Sequence, residues 1–297
     1  MLHIEAGRVS VRAIAPATSL AISAAVPERA SAAPNRRVVR RRPSPAPSFV
    51  PEHPGIPGFP SPAIPWRTIA LIAATLVAVA AFAWPLVTSA VPTQAQAAVP
   101  VVALALAPIA IIVVIVTLDA SVRSAHTLAL LAVLAALGAA IRMASTGVGG
   151  VEALFILLIL AGRAFGPRFG LLLGAACIAL SAVLWGGVGP WLPFQMFACG
   201  WVAAGAGLLP RRVRGWAEIV MLCVYGVVAS YAFGLIMNLW FWPFAVGGNT
   251  SISYVAGDLI TDNLARFLLY SLLTSTAGWA TLRAITTVLG LVGAGRA

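Results

Sequence analysis

Between Arg67 and Asp119 the chain carries no charged residue, an uninterrupted run of 51 positions. One membrane-crossing helix needs about 20 residues, so a run of this length holds two. The division falls where helix breakers and polar residues gather: Pro85, Thr88, Ser89, Pro92, Thr93, Gln94, Gln96 and Pro100. This predicts one helix over 68–87 and another over 100–118.

The same punctuation divides the rest. A span over 127–143 ends at Arg142 and the turn-forming Ser145-Thr146-Gly147-Val148-Gly149-Gly150, and a short span over 151–164 is closed by Arg163, Pro167 and Arg168. The 42 uncharged residues between Arg168 and Arg211 hold two more, about 169–186 and 191–209, separated by Gly186-Gly187-Val188-Gly189-Pro190. Two longer stretches, 216–243 and 263–291, complete eight. No strand-like alternation competes with this pattern, so a membrane β-barrel is excluded. Only 9% of residues are charged and 61% are apolar, against about 25% charged in ordinary soluble domains, which excludes a water-soluble globule.

All 19 basic residues are arginine, and the net charge is +11. In a soluble protein that excess points to nucleic acid; among apolar spans it reports topology. With the N-terminus inside and eight alternating spans, nine tail arginines fall on the cytoplasmic side, with Arg123, Arg163, Arg168, Arg211, Arg212, Arg214, Arg283 and Arg296. Only Arg142 and Arg266 fall outside. One span more or fewer scatters these groups over both faces, so both termini are expected in the cytoplasm of a plasma-membrane protein.

Residues 1–67 hold 12 of the 21 prolines, between Ala, Ser and Gly, and no apolar periodicity. Such a segment cannot offset its chain entropy by burial and is expected to be a disordered, Arg/Pro-rich cytoplasmic tail. Pro16, Glu28 and Arg29 interrupt its one mildly apolar stretch, which argues against a cleaved signal. The chain thus divides into this tail, two leading helices over 68–120, and six helices over 127–292.

The candidate site lies among charges that topology does not explain. Arg142 and Arg266 end their helices on the outer side, as do Glu152, Asp258 and Asp262. Each arginine reads either as an interfacial anchor, since snorkelling is easy there, or as lining an outer cavity, paired with one of those acids or an anionic ligand. The segment Asn238, Trp240, Phe241, Trp242, Pro243, Phe244 is followed by the polar Gly247-Gly248-Asn249-Thr250-Ser251, then Tyr254 and Asp258. Its tryptophans suit an interfacial belt, and its length suits a binding loop. Trp191 and Gln195 begin another span on that side. On 127–143, Ala132, Ala136 and Ala140 form a small-residue stripe of the kind that admits a close partner helix. Cys177, Cys199 and Cys223 have no metal or disulfide spacing and read as small buried hydrophobes.

There is no phosphate-binding GxxxxGK[ST] loop, no HExxH and no GxSxG. His126 alone of the three histidines lies in the membrane portion, on the cytoplasmic side, so a histidine-based metal site is not expected. No acid sits mid-span as in a proton-coupled carrier.

The run LLAVLAALGAAIR, with VEALFILLILAGRAFGPRFG, GGVGPWLPFQMFACGWVAAGAGLLP and YAFGLIMNLWFWPF, resembles the substrate-binding S components of energy-coupling factor (ECF) transporters, especially a set from actinobacteria. The resemblance covers about 127–292, and GGVGPWLPFQM and MNLWFWPF are its most specific blocks. It implies an all-α integral membrane protein, a six-helix bundle here preceded by two extra transmembrane helices. It further implies capture of a vitamin or related micronutrient at the outer face, cobalamin-like or riboflavin-like, with no catalysis and no resident cofactor. The implied partners are a transmembrane coupling protein and two ATPase subunits, with docking through Ala132 and Ala136 and Ala140 extending the stripe. The expected cargo residues are Arg142, Glu152, Trp191, Gln195, Asn238, Trp240, Asp258 and Arg266. Two other classes stand beside this one. They are an integral-membrane enzyme using Glu152, Asp258 or Asp262 on a lipid-linked substrate, and a membrane adaptor whose basic tail recruits partners or anionic lipid.

Overall fold

Alanine spacing decides how the two leading helices meet. In α1 (Trp66–Phe82) the buried positions Ala74, Ala78 and Ala81 recur on one face, and in α3 (Val99–Val116) so do Ala103, Ala107 and Ala110. Small residues at helical spacing let two backbones approach closely, and these helices pack along each other. A four-residue helix, α2 (Trp84–Val87), follows α1 directly.

The computed structural model describes residues 66–88, 94, 96–116, 124–145, 152–185, 187–248 and 250–295. The expected tail therefore lies almost wholly outside the described residues, as do most of the segments 89–95 and 146–151, which were expected on the outer side. Among the described residues all regular structure is helical, with no strand. The remaining elements are α4 (Ala125–Ser145), α5 (Leu154–Phe165), α6 (Pro167–Trp185), α7 (Leu192–Leu208), α8 (Trp216–Ala245), α9 (Ile260–Ser271) and α10 (Thr281–Ala294). A π-helical segment, Leu272–Ala280, joins α9 to α10. Four helices are long and apolar enough to cross a membrane: Ala125–Ser145, Pro167–Trp185, Trp216–Ala245 and the continuous Ile260–Ala294. These are the hallmarks of a membrane protein. Four shorter apolar helices accompany them, and the eight expected helical stretches are each present within a few residues of their expected ends.

The centre of the bundle is built from glycine. A Cβ on Gly162 of α5 would run into the Ala203 carbonyl of α7, and one on Gly174 of α6 into the Gly200 backbone of α7. Only hydrogen fits at these crossings, and α7 thereby packs tightly against both α5 and α6. Phe155, Leu158, Ile159, Leu173, Ile178 and Leu291 fill the surrounding core. The turn from α5 to α6 needs glycine for a different reason. Gly166 has φ 91°, a conformation that side chains disfavour, and Pro167 then opens α6 with its φ already suited to a helix.

The leading helices share a core with the rest. Phe82 meets Phe194 edge-on at 4.9 Å, and Ala78, Ala107, Leu172, Phe197 and Trp240 belong to one buried cluster. The described residues accordingly form one compact unit. The division at about 120 is one of sequence, not of packing.

Candidate functional site

Arg142 sits in the last turn of α4, 17 residues and about 26 Å of helix rise from Ala125. Its guanidinium donates through Nη1 to Ser181 Oγ on α6 at 2.9 Å and through Nη2 to Gln195 Oε1 on α7 at 3.1 Å. One cation thus ties three helices. Ser181 is fully buried and donates its hydroxyl hydrogen bond to the Ile178 carbonyl at 2.9 Å, which leaves its oxygen free to accept from the arginine. Gln195, one turn into α7, is held there because Pro193 and Trp191 start that helix. Trp191 itself is 41% exposed at the same end, its ring lying over Gly189.

Glu152 is engaged elsewhere. Its Oε2 accepts from Arg283 Nε on α10 at 2.5 Å. The Arg283 side chain is only 7% exposed, and its guanidinium stacks over Phe155 and Phe233 at 5.3 and 4.7 Å from their centroids. Nη1 donates to the Ser230 carbonyl of α8 at 3.3 Å. Arg283 lies 11 residues before the end of α10, about 17 Å of rise, and Glu152 precedes the 12-residue α5, about 18 Å long. Arg283, expected on the cytoplasmic side of the last span, is buried in the bundle interior, where an arginine needs a partner and has one.

The two arginine clusters are neighbours. Cys199, one turn beyond Gln195 on α7, lies within electrostatic reach of Glu152, Arg142, Arg283 and Cys177. Two polar groups thus lie on either side of Cys199: Arg142 with Ser181 and Gln195, and Glu152 with Arg283, the latter guanidinium packed on Phe155 and Phe233.

Asn238 of α8 contributes to a second group. Its Nδ2 donates to Ser271 Oγ at 2.9 Å and to Ser275 Oγ at 2.7 Å, at the start of the π-helical segment. The wider turn of a π-helix carries serines toward α8, and such segments recur at functional positions.

The tryptophans differ from expectation. Trp240 is 3% exposed and stacks face to face on Phe194 at 4.5 Å, and Trp242 is fully buried against Tyr254, Phe267 and Tyr270. Neither is an interfacial belt residue: Trp240 is covered by Phe194 in a cluster with the leading helices, and the connection after α8 folds back over Trp242. Trp242 Nε1 donates to the Ile252 carbonyl at 2.7 Å, and Asn263 grips Val255 through both its carbonyl (2.7 Å) and its N–H (3.1 Å). Ser253 donates to the Gly247 carbonyl at 2.6 Å. The connection is strapped down. Asp258 and Arg266, 2.7 Å apart, close it at the surface. The Arg266 hydrogen bond, then the Leu259 N–H, hold the Asp258 carboxyl below its ordinary value. Asp262 is exposed.

The structure therefore brings Arg142 and Gln195 together, pairs Glu152 with Arg283, sets Trp191 at the Gln195 end of α7, and sends Asp258 and Arg266 to the capping connection. Trp240 goes to the helix interface. Sequence reasoning missed Ser181, Ser230, Arg283 and Asn263 as partners. For Arg283 a signal existed: it falls well inside the last apolar stretch rather than at its end. Ala132, Ala136 and Ala140 lie on the exposed face of α4 with Val133 and Leu137, while Ala135, Gly138 and Ala139 face the bundle. Among the described residues no three His, Cys, Asp or Glu side chains gather as a metal site. No family, curated protein or solved structure matches this chain.

Proposed function

We propose that this protein is the substrate-binding S component of an ECF-type importer, with the Arg142–Gln195–Glu152–Arg283 region as its cargo site. In this reading α4 to α10 form the six-span unit, the last span running through the π-helical segment. Helices α1 and α3 are additions that share its core. Both termini are cytoplasmic in the plasma membrane. The observation that carries the reading is the meeting of the two most distinctive sequence blocks. Phe194 and Gln195 come from GGVGPWLPFQM, and Trp240 comes from MNLWFWPF. Phe194 stacks on Trp240, while its neighbour Gln195 holds Arg142.

A few fixed polar groups beside aromatic rings suit an organic micronutrient that offers hydrogen-bond acceptors and a flat or apolar body. Cobalamin-like and riboflavin-like cargoes have that character. The chain has no phosphate-binding loop for ATP, so transport energy must come from the coupling protein and two ATPase subunits that the resemblance implies. The exposed Ala132–Ala136–Ala140 stripe is the proposed docking face. An enzyme on a lipid-linked substrate finds less support, since Glu152 and Asp258 are each committed to an arginine. Affinity purification of the tagged full chain from its native membrane tests the assignment. Co-purifying coupling and ATPase subunits support it, and their absence from a folded preparation contradicts it.

A further inference from the structure

At the end of the bundle opposite Arg142 lies a groove of about 520 Å³ between the start of α4, the α5–α6 turn and the 209–215 connection. Three basic side chains line it: His126, Arg168 and Arg211. Its wall is apolar, made by Leu130, the 47%-exposed Phe165 and the buried Phe169. We propose that this groove binds the phosphate of an anionic phospholipid, with an acyl chain along Leu130 and Phe165.

The groove is built rather than incidental. Arg163 staples the connection that carries Arg211, donating to the Leu209, Pro210 and Val213 carbonyls at 2.8, 3.1 and 3.4 Å and pairing with Glu218 at 2.8 Å. Arg211 reaches from this fixed backbone toward Gly166, whose positive φ brings the turn close, and takes no hydrogen bond or ion pair among the described residues. Arg168 is oriented by Thr68 of α1, to which its Nη2 donates at 2.9 Å. The groove holds no acid. Cations beside Leu130 and the exposed Phe165 at the ends of apolar helices match a lipid's two parts, phosphate and chain. A soluble anion would leave the apolar wall in contact with water or detergent. Basic recesses between membrane helices are known to take acidic headgroups. The proposal stands independently of what the protein transports.

Native mass spectrometry of the detergent-purified full chain, titrated with phosphatidylglycerol or phosphatidylcholine, tests it. One tightly held phosphatidylglycerol is expected, bound in preference to phosphatidylcholine. Arg211→Gln should weaken it about fivefold, the value of one arginine near an acidic headgroup. Arg212→Gln, on the same connection but outside the groove lining, should leave it unchanged. Arg211 is exposed, so its loss should not unfold the chain, and an unchanged melting temperature without added lipid checks this. Equal binding of the two lipids, or no effect of Arg211→Gln, would overturn the proposal. So would displacement of the lipid by excess inorganic phosphate, which would make the groove a soluble-anion site.

Discussion

Glu152 and Arg283, 131 positions apart in the chain, meet at 2.5 Å near the middle of the helix bundle. Their burial is unequal: the Arg283 side chain is 7% exposed and that of Glu152 38%. This asymmetry fixes which partner the fold can spare. Without the acid, a buried cation keeps only the Ser230 carbonyl and two aromatic faces. Without the arginine, the carboxylate can still hydrate.

Glu152→Ala should therefore destabilise the protein more than Arg283→Met. For the acid's loss about 2–4 kcal/mol is expected, somewhat below the cost of breaking a fully buried pair because the Glu152 side chain is 38% exposed. Thermal unfolding followed by size exclusion in detergent ranks the two. Equal losses would show that the pair is solvated from both sides.

At the α6–α7 crossing, Gly174→Ala should cost about 1–3 kcal/mol, because its Cβ meets backbone that cannot move aside. Gly278→Ala, in the π-helical segment with open space at the same position, should be nearly neutral. The fraction of folded, monodisperse protein after heating distinguishes them.

Asp258 has its carboxyl pKa lowered by Arg266. A group depressed on folding contributes stability above its unfolded pKa and loses it as pH falls through the folded value. The strapped connection should therefore keep this contact at neutral pH and lose it only below the ordinary carboxylate value of 3.8. Arg266→Ala should return Asp258 to ordinary titration. Carbon-13 NMR of labelled aspartate reads both curves, and identical curves would show that the ion pair does not persist in solution.

Thr250→Cys should react with a membrane-impermeant thiol reagent added outside intact cells, and Arg212→Cys should not. The reverse pattern would invert the proposed orientation.

Helix boundaries were legible because charge and Pro/Gly clusters interrupt otherwise continuous apolar sequence, a local signal. The turn at Gly166-Pro167 and the break after Trp185 are of this kind. What was not legible depends on pairing across the chain. Nothing near Trp240 shows that Phe194 will cover it, and nothing near Asn263 shows that it will grip Val255. The alanine stripe on α4 was visible, yet the similar spacing on α1 and α3, which joins those two helices, was not distinguished from an alanine-rich background. Counting arginines by side treats each as a loop or helix-end residue. Arg283 escapes that logic because its partners, Glu152, Phe155, Phe233 and Ser230, come from other helices and loops and bury it in the bundle.

In the proposed function the Arg142–Gln195 region takes cargo while the exposed alanine face of α4 takes the partner. Mass spectrometry of small molecules released from the full chain, purified after expression in its native host, tests it most directly. The account predicts a vitamin-class compound at near-stoichiometric amount in the wild type and in Ala136→Trp, which should fail only to co-purify the coupling subunits. In Arg142→Ala the compound should fall by about tenfold or more, as expected for losing charge-assisted hydrogen bonds. No such compound in a folded wild-type preparation, or equal loss in both variants, would contradict it.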